Sequence, residues 1–505
     1  MRGRAVWYAL FAVYAAGVAL FSGPGLDHWW GTWAAGGYAL AAVAEVTLSG
    51  RAWGRGLAIA VSLAGALAAP TLWLMTREPT PPDVAVVARA GALLLHHGTP
   101  YLPATALSAG GWLAYNPYLP VMALFGLPGA LGLPGKTWPW LIVATFLLLY
   151  ATFRVTPAPA SASAPTDGSR RRSALGRAAF WLACPVMAFP LTMGITDPPV
   201  IALICLALAL LARAGRAGRA GGTDRGSAGA AWQRDAVAAA LVLGVACAMK
   251  YTAWPALAII AVMVAARGGA RAAVRFTAVV LATAAGLVAA LAPAALRHPA
   301  SILQNTVAYP LGLTSAKSPA QSPLPGHLLS TLGSGGHLAA LVLLAVAGLA
   351  TAASLVIAPP ATPSAAARRI AIGLTALFLL SPATRFGYFI YPITFYAWGV
   401  LAGRADGLPA SRSASWSASG STSWSASWSA SWSASGSFLR ARARTIAPPW
   451  RAASRPVTTT ALATMPTIPA TCPMPASERA ASAPELSAAV SQGMRMTTTR
   501  IANDL

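Results

Sequence analysis

Twelve long apolar segments, separated by short polar stretches, run through the first 402 residues of this 505-residue chain. They are rich in Ala, Leu and Val and do not alternate apolar with polar residues, which is typical of helices rather than of the strands of a membrane barrel. In lipid, a helix satisfies the backbone polar groups of such a segment internally. The segments cover residues 5–21, 34–49, 57–75, 138–153, 178–194, 198–213, 236–249, 252–266, 276–295, 337–357, 370–382 and 387–402.

The composition supports lipid as the solvent for much of the surface. Hydrophobic residues make up 56% of the chain and charged residues only 10%, which is too little charge to cover a water-soluble protein of this size. We therefore predict an all-α polytopic membrane protein with about 12 transmembrane helices, several of them kinked or broken because they are shorter than the roughly 20 residues that cross a bilayer upright.

The net charge of +24 lies in short basic clusters between the apolar segments and in the C-terminal tail. Such clusters fix the orientation of membrane proteins, and no zinc-finger or RNA-binding signature accompanies them, so we expect no nucleic-acid partner.

One further apolar segment, 117–133, is ambiguous. If it lies at the outer surface without crossing, most of the 36 basic residues fall on the cytoplasmic side. We therefore predict that it does not cross, and that both termini of this plasma-membrane protein are cytoplasmic.

Composition also divides the chain into three parts. Residues 1–56 hold extra N-terminal transmembrane helices, the first of them a retained signal anchor because a clean Ala-x-Ala cleavage site is missing. Residues 57–402 form the core. Residues 403–505 form a cytoplasmic tail, where a repeat of Ser, Ala and Trp over 413–437 cannot bury a regular core, so we expect disorder.

The sequence lacks the usual signatures of metal and nucleotide sites. Its four cysteines are not spaced as ligand pairs, and the adjacent His96 and His97 do not share one face of a helix. It contains no Walker loop, serine elbow or zinc-protease motif. We therefore predict no metal ligand set and no nucleotide cofactor.

Carboxylates are rare outside the predicted membrane segments, and Asp83 has the most specific setting. It follows a proline-rich stretch, and apolar residues recur after it at helical spacing, so an extracytoplasmic amphipathic helix is predicted to begin at Asp83. With segment 117–133, this helix would form a juxtamembrane pair. The Asp83 carboxylate either caps the helix or is free to accept a proton from a substrate.

Three further charged residues lie at the ends of predicted spans. Asp197 precedes two prolines and either caps the next helix or has a functional role. Lys250 and Arg385 each lie between two apolar segments and beside aromatic residues. Each is either an ordinary interfacial residue or a clamp for a phosphate at the membrane surface.

In chain order, these residues form a pattern with short aromatic motifs between them. The pattern comprises Asp83, Gly98-Thr99-Pro100-Tyr101, Tyr115-Asn116-Pro117-Tyr118, Asp197, Lys250-Tyr251-Thr252, and Arg385 with Tyr388 and Tyr391. It resembles the membrane-embedded GT-C glycosyltransferases. Over residues 57–402 the chain is most similar to glycosyltransferase family 87, the polyprenyl-phosphate-mannose-dependent type of actinobacteria. The aspartate usually follows the first span in that family, whereas here it follows the third.

The resemblance implies an inverting transferase that moves a hexose, in this family mannose, from a polyprenyl phosphate to a lipid or glycan acceptor on the extracytoplasmic face. It implies Asp83 as general base and Lys250 and Arg385 as cations for the departing phosphate. Asp197 would position the acceptor or a cation, and a surface helix over 115–132 would guide the lipid tail. Beyond the lipid-linked donor it implies no cofactor, and a metal requirement stays open. The other substrate-binding residues that it implies are Tyr101, Tyr115, Tyr118, Tyr388 and Tyr391.

A multi-span transporter or lipid flippase is the main alternative, because such proteins also carry ionisable residues within membrane helices. Against it, most ionisable residues here cluster at the ends of spans, and the sequence shows no convincing internal repeat. A membrane scaffold that recruits partners through its tail is a third possibility.

Overall fold

The computed structural model describes residues 2–23, 25–51, 53–76, 80–133, 137–156, 166–220, 225–316 and 318–405. The tail that the sequence predicts to be disordered lies outside these residues, except for 403–405, which end the last helix instead.

Helices form nearly all of the described structure, which confirms the predicted all-α class. Within the described ranges no strand occurs, and the only sheet-like contact is an isolated bridge between Gln321 and Thr384. The longer helices are α1 (Arg2–Phe21), α2 (Leu26–Thr47), α3 (Gly54–Met75), α4 (Pro82–His97), α5 (Trp138–Val155), α6 (Asp167–Ala183), α7 (Pro185–Thr192), α8 (Asp197–Ala220), α9 (Arg225–Met249), α10 (Trp254–Leu291), α11 (Ser334–Ile357), α12 (Pro363–Leu380) and α13 (Ile390–Ala405).

Short helical segments join the longer helices. They are Ala104–Ala109, Gly111–Ala114, Pro120–Phe125, Leu127–Ala130, Tyr251–Ala253, Pro293–Arg297, Pro299–Leu303, Gln304–Ala308, Pro325–Ser330 and Phe386–Phe389.

Eight helices among the described residues are long and apolar enough to cross a membrane: α1, α3, α5 and α8 to α12. The count becomes nine if α6 and α7, which meet at a bend of 62°, form one broken span. The chain thus has the architecture of a multi-pass membrane protein, but the predicted count of twelve spans is not confirmed. One reason is that α13 has only 16 residues, fewer than the roughly 20 that cross a bilayer upright.

A second reason for the lower count is that the predicted segment 252–266 and most of the predicted segment 276–295 lie in one long apolar stretch, Tyr251–Leu291, which consists mainly of α10. This helix breaks at Gly269, whose backbone has φ 78° and ψ 173°. A positive φ is open to glycine and strained for residues with a side chain. The break lies between the two predicted segments, so α10 consists of two helical parts joined at a kink and is not one uninterrupted helix.

Helices α1 and α2 pack on the core. Gly37 in α2 approaches Gly65 in α3 so closely that a Cβ on Gly37 would lie 2.7 Å from the Cα of Gly65. Gly65 belongs to a π-helical turn, and the indole nitrogen of Trp30 donates a hydrogen bond of 2.8 Å to the backbone oxygen of Ala66 in the same turn. Helix α2 therefore packs closely against α3.

Segment 117–133 contains two short helices of six and four residues, both too short to cross a bilayer. This agrees with the prediction that it does not cross. The predicted surface helix over 115–132 is wrong as a single helix, because the segment forms two short helices, Pro120–Phe125 and Leu127–Ala130. Each has a proline at its first or second residue, and a proline there lacks the backbone N–H that would continue an earlier helix. Gly126, which lies between the two short helices, packs directly on the backbone of α4.

The contact between Gly126 and α4 leaves no room for a side chain. A Cβ on Gly126 would lie 2.1 Å from the carbonyl oxygen of Val87, far inside van der Waals distance. Because α4 carries Asp83 in its first turn, this contact sets the position of that carboxylate. We expect Gly126→Ala to destabilise the protein by about 1–3 kcal/mol through overpacking, measured as a lower melting temperature of the purified protein.

Gly286→Ala is the matched control, because Gly286 lies inside α10 with nothing within 4 Å of an added Cβ. Alanine favours a helix more than glycine does, so this change should leave the melting temperature unchanged or raise it slightly. An equal loss of stability in both variants would show that the contact with α4 is not tightly packed.

Candidate functional site

A cleft opens where the start of α4, the start of α8, the end of α9 and the loop between α12 and α13 meet. Its empty volume, with the open mouth included, is about 810 Å³. The four charged residues singled out in the sequence all line it, namely Asp83, Asp197, Lys250 and Arg385. Its aromatic lining residues are Trp112, Tyr115, Tyr118, Tyr251, Tyr309 and Tyr388.

Asp83 points its carboxylate toward Arg385. Helix α4 begins at Pro82, one residue earlier than predicted, and its N-cap, Pro81, makes no side-chain capping bond. Asp83 therefore lies in the first turn, where the helix dipole favours a negative charge, and it is not the cap. Its Oδ2 lies 3.7 Å from Nη1 of Arg385, and its side chain is 23% exposed. The carboxylate is thus held loosely and remains accessible from the cleft.

The backbone around Arg385 is fixed by a loop from the other side of the cleft. Thr384 donates from its backbone nitrogen to Ala320 at 2.9 Å and accepts at its backbone oxygen from Ser322 at 3.0 Å. The nitrogen of Phe386 donates to the hydroxyl of Ser322, also at 3.0 Å. The two neighbours of Arg385 are therefore anchored, and its side chain extends into the cleft from a rigid base.

Electrostatics keep Arg385 positively charged. Burial alone would lower the pKa of its guanidinium, but the nearby carboxylate of Asp83 and the phenol groups of Tyr388, Tyr118 and Tyr309 raise it by more, so the net direction is upward. Arg385 does not lie as an ordinary interfacial residue would, because its side chain faces the carboxylate of Asp83 in a cleft.

Asp197 and Lys250 form a buried ion pair at the deep wall of the cleft. Nζ of Lys250 donates to Oδ1 of Asp197 at 2.5 Å, and the two side chains are 6% and 1% exposed. The hydroxyl of Tyr391 donates to the same Oδ1 at 2.6 Å and shares a hydrogen bond of 2.7 Å with the hydroxyl of Thr252. Asp197 does not act as a helix cap, because its carboxylate binds side chains. Lys250 is not an ordinary interfacial residue, because its ammonium group is buried and does not extend to water.

Two aromatic rings enclose the ammonium group of Lys250. The group lies 5.3 Å from the ring centroid of Tyr118 and 5.5 Å from that of Tyr388, both within cation–π distance. Burial raises the pKa of both phenols, with further increases from nearby negative charges. Both tyrosines therefore stay neutral at physiological pH, and the negative charge that balances Lys250 comes from Asp197.

The lining of the cleft includes a stacked pair of buried tyrosines. The rings of Tyr115 and Tyr309 lie nearly parallel, with an angle of 9° and a centroid separation of 4.6 Å. Asn116 fixes this arrangement, because its backbone nitrogen donates to the side chain of Asn305 at 2.7 Å and its side chain donates to Pro100 at 3.1 Å. The stack presents a flat aromatic surface beside the charged groups.

Two of the tyrosines that the resemblance implies as substrate-binding lie behind the cleft wall. The hydroxyl of Tyr101 donates to the backbone oxygen of Tyr118 at 2.9 Å, and Tyr101 is buried. Tyr391 is also fully buried and holds Asp197. These two residues position residues that line the cleft, whereas Tyr115, Tyr118 and Tyr388 line it directly.

The sequence analysis missed Trp112, Tyr309 and Ser318, which also line the cleft. Tyr309 and Ser318 each precede a proline in the long polar loop between α10 and α11. Tyrosine-proline and serine-proline pairs in such a loop are a weak signal of a fixed backbone. They do not indicate which residues of the cleft these two side chains would face.

Among the residues that the structure describes, two carboxylates, Asp83 and Asp197, line the cleft. Across the described parts of the chain, no group of three or more His, Cys, Asp or Glu side chains is arranged to hold a metal ion. The described lining is instead built from two pairs of opposite charges and from aromatic rings.

Compared with known proteins, the chain matches no family model, no curated protein and no solved structure.

Proposed function

We propose that this protein is an integral membrane glycosyltransferase. In the proposed reaction a hexose, mannose on the strength of the resemblance to family 87, moves from a polyprenyl phosphate to a hydroxyl of a lipid or glycan acceptor. The observation that carries the proposal is the pairing of Asp83 with Arg385, 3.7 Å apart, in a cleft formed at the ends of apolar helices. Transfer from a lipid phosphate needs a base for the acceptor and a cation for the leaving group, and this pair provides one of each.

The reaction forms one bond and breaks another at the anomeric carbon of the donor. The acceptor oxygen attacks that carbon while the bond to the phosphate oxygen breaks, and the electron pair of the broken bond goes to the phosphate. Asp83 takes the proton of the acceptor hydroxyl, and Arg385 neutralises the growing charge on the phosphate. Direct attack inverts the configuration of the anomeric carbon.

The resting contact between the two groups fits this sequence of events. Asp83 and Arg385 lie 3.7 Å apart and partly neutralise each other. A phosphate that binds the guanidinium competes with the carboxylate for it. Donor binding would then release Asp83 from this ion pair, so that it can act as the base.

Lys250 is the second proposed cation, and it acts from a greater depth. Its charge is balanced by Asp197 at 2.5 Å, so the pair adds little net positive charge to the cleft. Arg385, with 32% of its side chain exposed, is the cation that reaches the ligand directly. We therefore assign most of the phosphate binding to Arg385.

We expect Arg385→Ala to weaken binding of a polyprenyl-phosphate hexose about 10- to 100-fold, because a charge-assisted hydrogen bond is lost. Arg385→Lys should fall in between, since lysine keeps the charge but lacks the two-pronged geometry. The measurement is the Kd of the donor for the protein in nanodiscs. Arg368→Ala, an exposed arginine at the opposite end of α12, is the control and should not change the Kd. An unaltered Kd in Arg385→Ala would remove Arg385 from the donor site.

The proposal places the cleft on the extracytoplasmic face of the plasma membrane and both termini in the cytoplasm. Ser315 lies exposed in the loop between α10 and α11, near the cleft, and Arg171 lies exposed at the start of α6. We expect a membrane-impermeant maleimide to label Ser315→Cys in intact cells and Arg171→Cys only after permeabilisation. The unmodified chain measures background labelling of its native cysteines. The reverse pattern would contradict the proposed orientation.

A transporter or flippase is the second candidate, and the buried Asp197–Lys250 pair is the observation that favours it. Ionisable pairs buried beside membrane helices often mark transport pathways. Here the pair lies where α8 begins and just after α9 ends, in the wall of a cleft. Uptake or lipid translocation by proteoliposomes that contain the purified protein, without sugar transfer, would favour this candidate.

The experiment that tests the proposed function directly is a membrane assay with radiolabelled polyprenyl-phosphate mannose and a mixed pool of lipid and glycan acceptors. We expect labelled product with the intact protein. A purified, folded protein that binds neither donor nor acceptor and forms no product would contradict the proposal.

A further inference from the structure

The carboxylate of Asp197 uses only one of its two oxygens. Oδ1 accepts hydrogen bonds from Lys250 at 2.5 Å and from Tyr391 at 2.6 Å. Oδ2 is buried and has no hydrogen-bond partner. The side chain is 1% exposed, and the residue lines the cleft. A buried carboxylate oxygen without a donor is unfavourable, so this oxygen is suited to a donor that a ligand brings.

The orientation of this carboxylate is fixed. Lys250 and Tyr391 both hold Oδ1, and Tyr391 is held in turn by Thr252 at 2.7 Å. The two oxygens of a carboxylate are equivalent, so a rotation that exchanged them would restore the same arrangement, with one oxygen held by two donors and the other without a partner. The position of the oxygen without a partner, here Oδ2, is therefore set by the contacts to the other one.

The local charge indicates which kind of donor fits Oδ2. Lys250 already balances the charge of Asp197, and the neutral rings of Tyr118 and Tyr388 enclose the ammonium group. A second cation would add an uncompensated charge to a buried place, which is strongly unfavourable. A neutral donor avoids this penalty, and a hydroxyl group is the neutral donor that a sugar provides.

We propose that Oδ2 of Asp197 accepts a hydrogen bond from one sugar hydroxyl, so that Asp197 determines which hydroxyl pattern the cleft binds. The inference rests on the proposed function for the identity of the ligand as a sugar. It gives the two carboxylates different roles. Asp83 is 23% exposed and held at 3.7 Å by one cation, as a base requires, whereas Asp197 is buried and doubly held, as a recognition group requires.

The test is a hydroxyl scan by binding. The probes are farnesyl-phosphate mannose as donor and methyl mannoside as acceptor, each with analogues in which one hydroxyl is replaced by hydrogen or by fluorine. Fluorine keeps the size of the group but cannot donate a hydrogen bond. The Kd of each probe is measured for the intact protein in nanodiscs, and the two series distinguish a donor hydroxyl from an acceptor hydroxyl.

We expect one hydroxyl, in either the donor or the acceptor series, to matter for binding. The intact protein should bind the hydrogen and fluorine analogues at that position about 10- to 100-fold more weakly than the unmodified sugar. Asp197→Asn should weaken binding of the unmodified sugar, so that its Kd comes within about threefold of the Kd of those analogues. The reason is that the negatively charged hydrogen-bond acceptor, which distinguishes a hydroxyl from hydrogen or fluorine, is gone. Tyr391→Phe removes a donor to Oδ1 and leaves Oδ2 in place, so it should retain the discrimination.

Equal binding of all analogues by the intact protein would overturn the inference, and this result does not depend on how any variant folds. Full discrimination by a folded Asp197→Asn variant would also overturn it. Sugar transfer without hydroxyl discrimination would refute this inference and support the proposed function. Discrimination in binding without any transfer would support Asp197 as a sugar-recognition residue and refute the proposed function.

Discussion

Asp83→Asn is expected to reduce the rate of hexose transfer about a hundred- to ten-thousand-fold, the usual contribution of a general base. Asparagine has almost the same shape as aspartate, but it cannot take a proton from the acceptor. The change also removes the negative charge that lies 3.7 Å from Arg385. The guanidinium is then fully free for the phosphate, so the donor should bind as tightly as before or more tightly. The measurements are the transfer rate and the donor Kd on the same preparation.

Asp27→Asn is the matched control for this prediction. Asp27 lies in the first turn of α2, as Asp83 does in α4, but it does not line the cleft. Its replacement should leave both the rate and the donor Kd close to those of the intact protein. Full transfer activity in Asp83→Asn would exclude Asp83 as the base, and a weaker donor Kd would show that the carboxylate does not compete for Arg385.

Lys250→Met is expected to destabilise the protein strongly, by about 3–5 kcal/mol, because it leaves the buried charge of Asp197 without its partner. The pair is nearly inaccessible to solvent, with side chains 6% and 1% exposed, so water cannot replace the lost cation. The measurement is thermal unfolding of the purified protein. Arg171→Met is the control. It breaks an ion pair with Asp167 in which both side chains are well exposed, 65% and 60%, and such a loss should cost little or no stability.

A double change separates the charge from the shape of the side chains. Asp197→Asn combined with Lys250→Met removes both charges and keeps an oxygen for the hydroxyl of Tyr391. Replacement of a whole buried pair is often close to neutral, so this variant should regain most of the stability that Lys250→Met loses. A double variant as unstable as the single one would show that packing, and not the unpaired charge, causes the loss.

Several features of this protein follow from the sequence because they depend on local properties. Helix formation depends on residues within a few turns, and each of the twelve apolar segments is mostly helical in the structure, although segment 178–194 is bent by 62° between two helices. The candidate charges could also be found, because a charge beside a long apolar segment is rare and costly. Asp83, Asp197, Lys250 and Arg385 all line one cleft, although they come from distant parts of the chain.

The local pattern was less informative about supporting residues. Tyr101 and Tyr391 belong to the motifs that carry the resemblance, yet they lie behind the cleft wall and hold Tyr118 and Asp197. Tyr309 was missed because nothing in its neighbourhood indicates that it stacks on Tyr115. A motif identifies a type of residue at a position in the chain. Whether that residue lines the cleft or supports a lining residue depends on the direction of its side chain.

The sequence by itself therefore determined the helical membrane class, the positions of the helices and the set of candidate charges. Only the tertiary structure decided how those charges are paired: Asp83 with Arg385 across the cleft, and Asp197 with Lys250 in its wall. It also decided that one oxygen of Asp197 is left without a donor. The physical reason is the distance along the chain over which each property is determined. The hydropathy of a segment depends on its own residues, whereas an ion pair forms between side chains that only the packing of distant helices brings together.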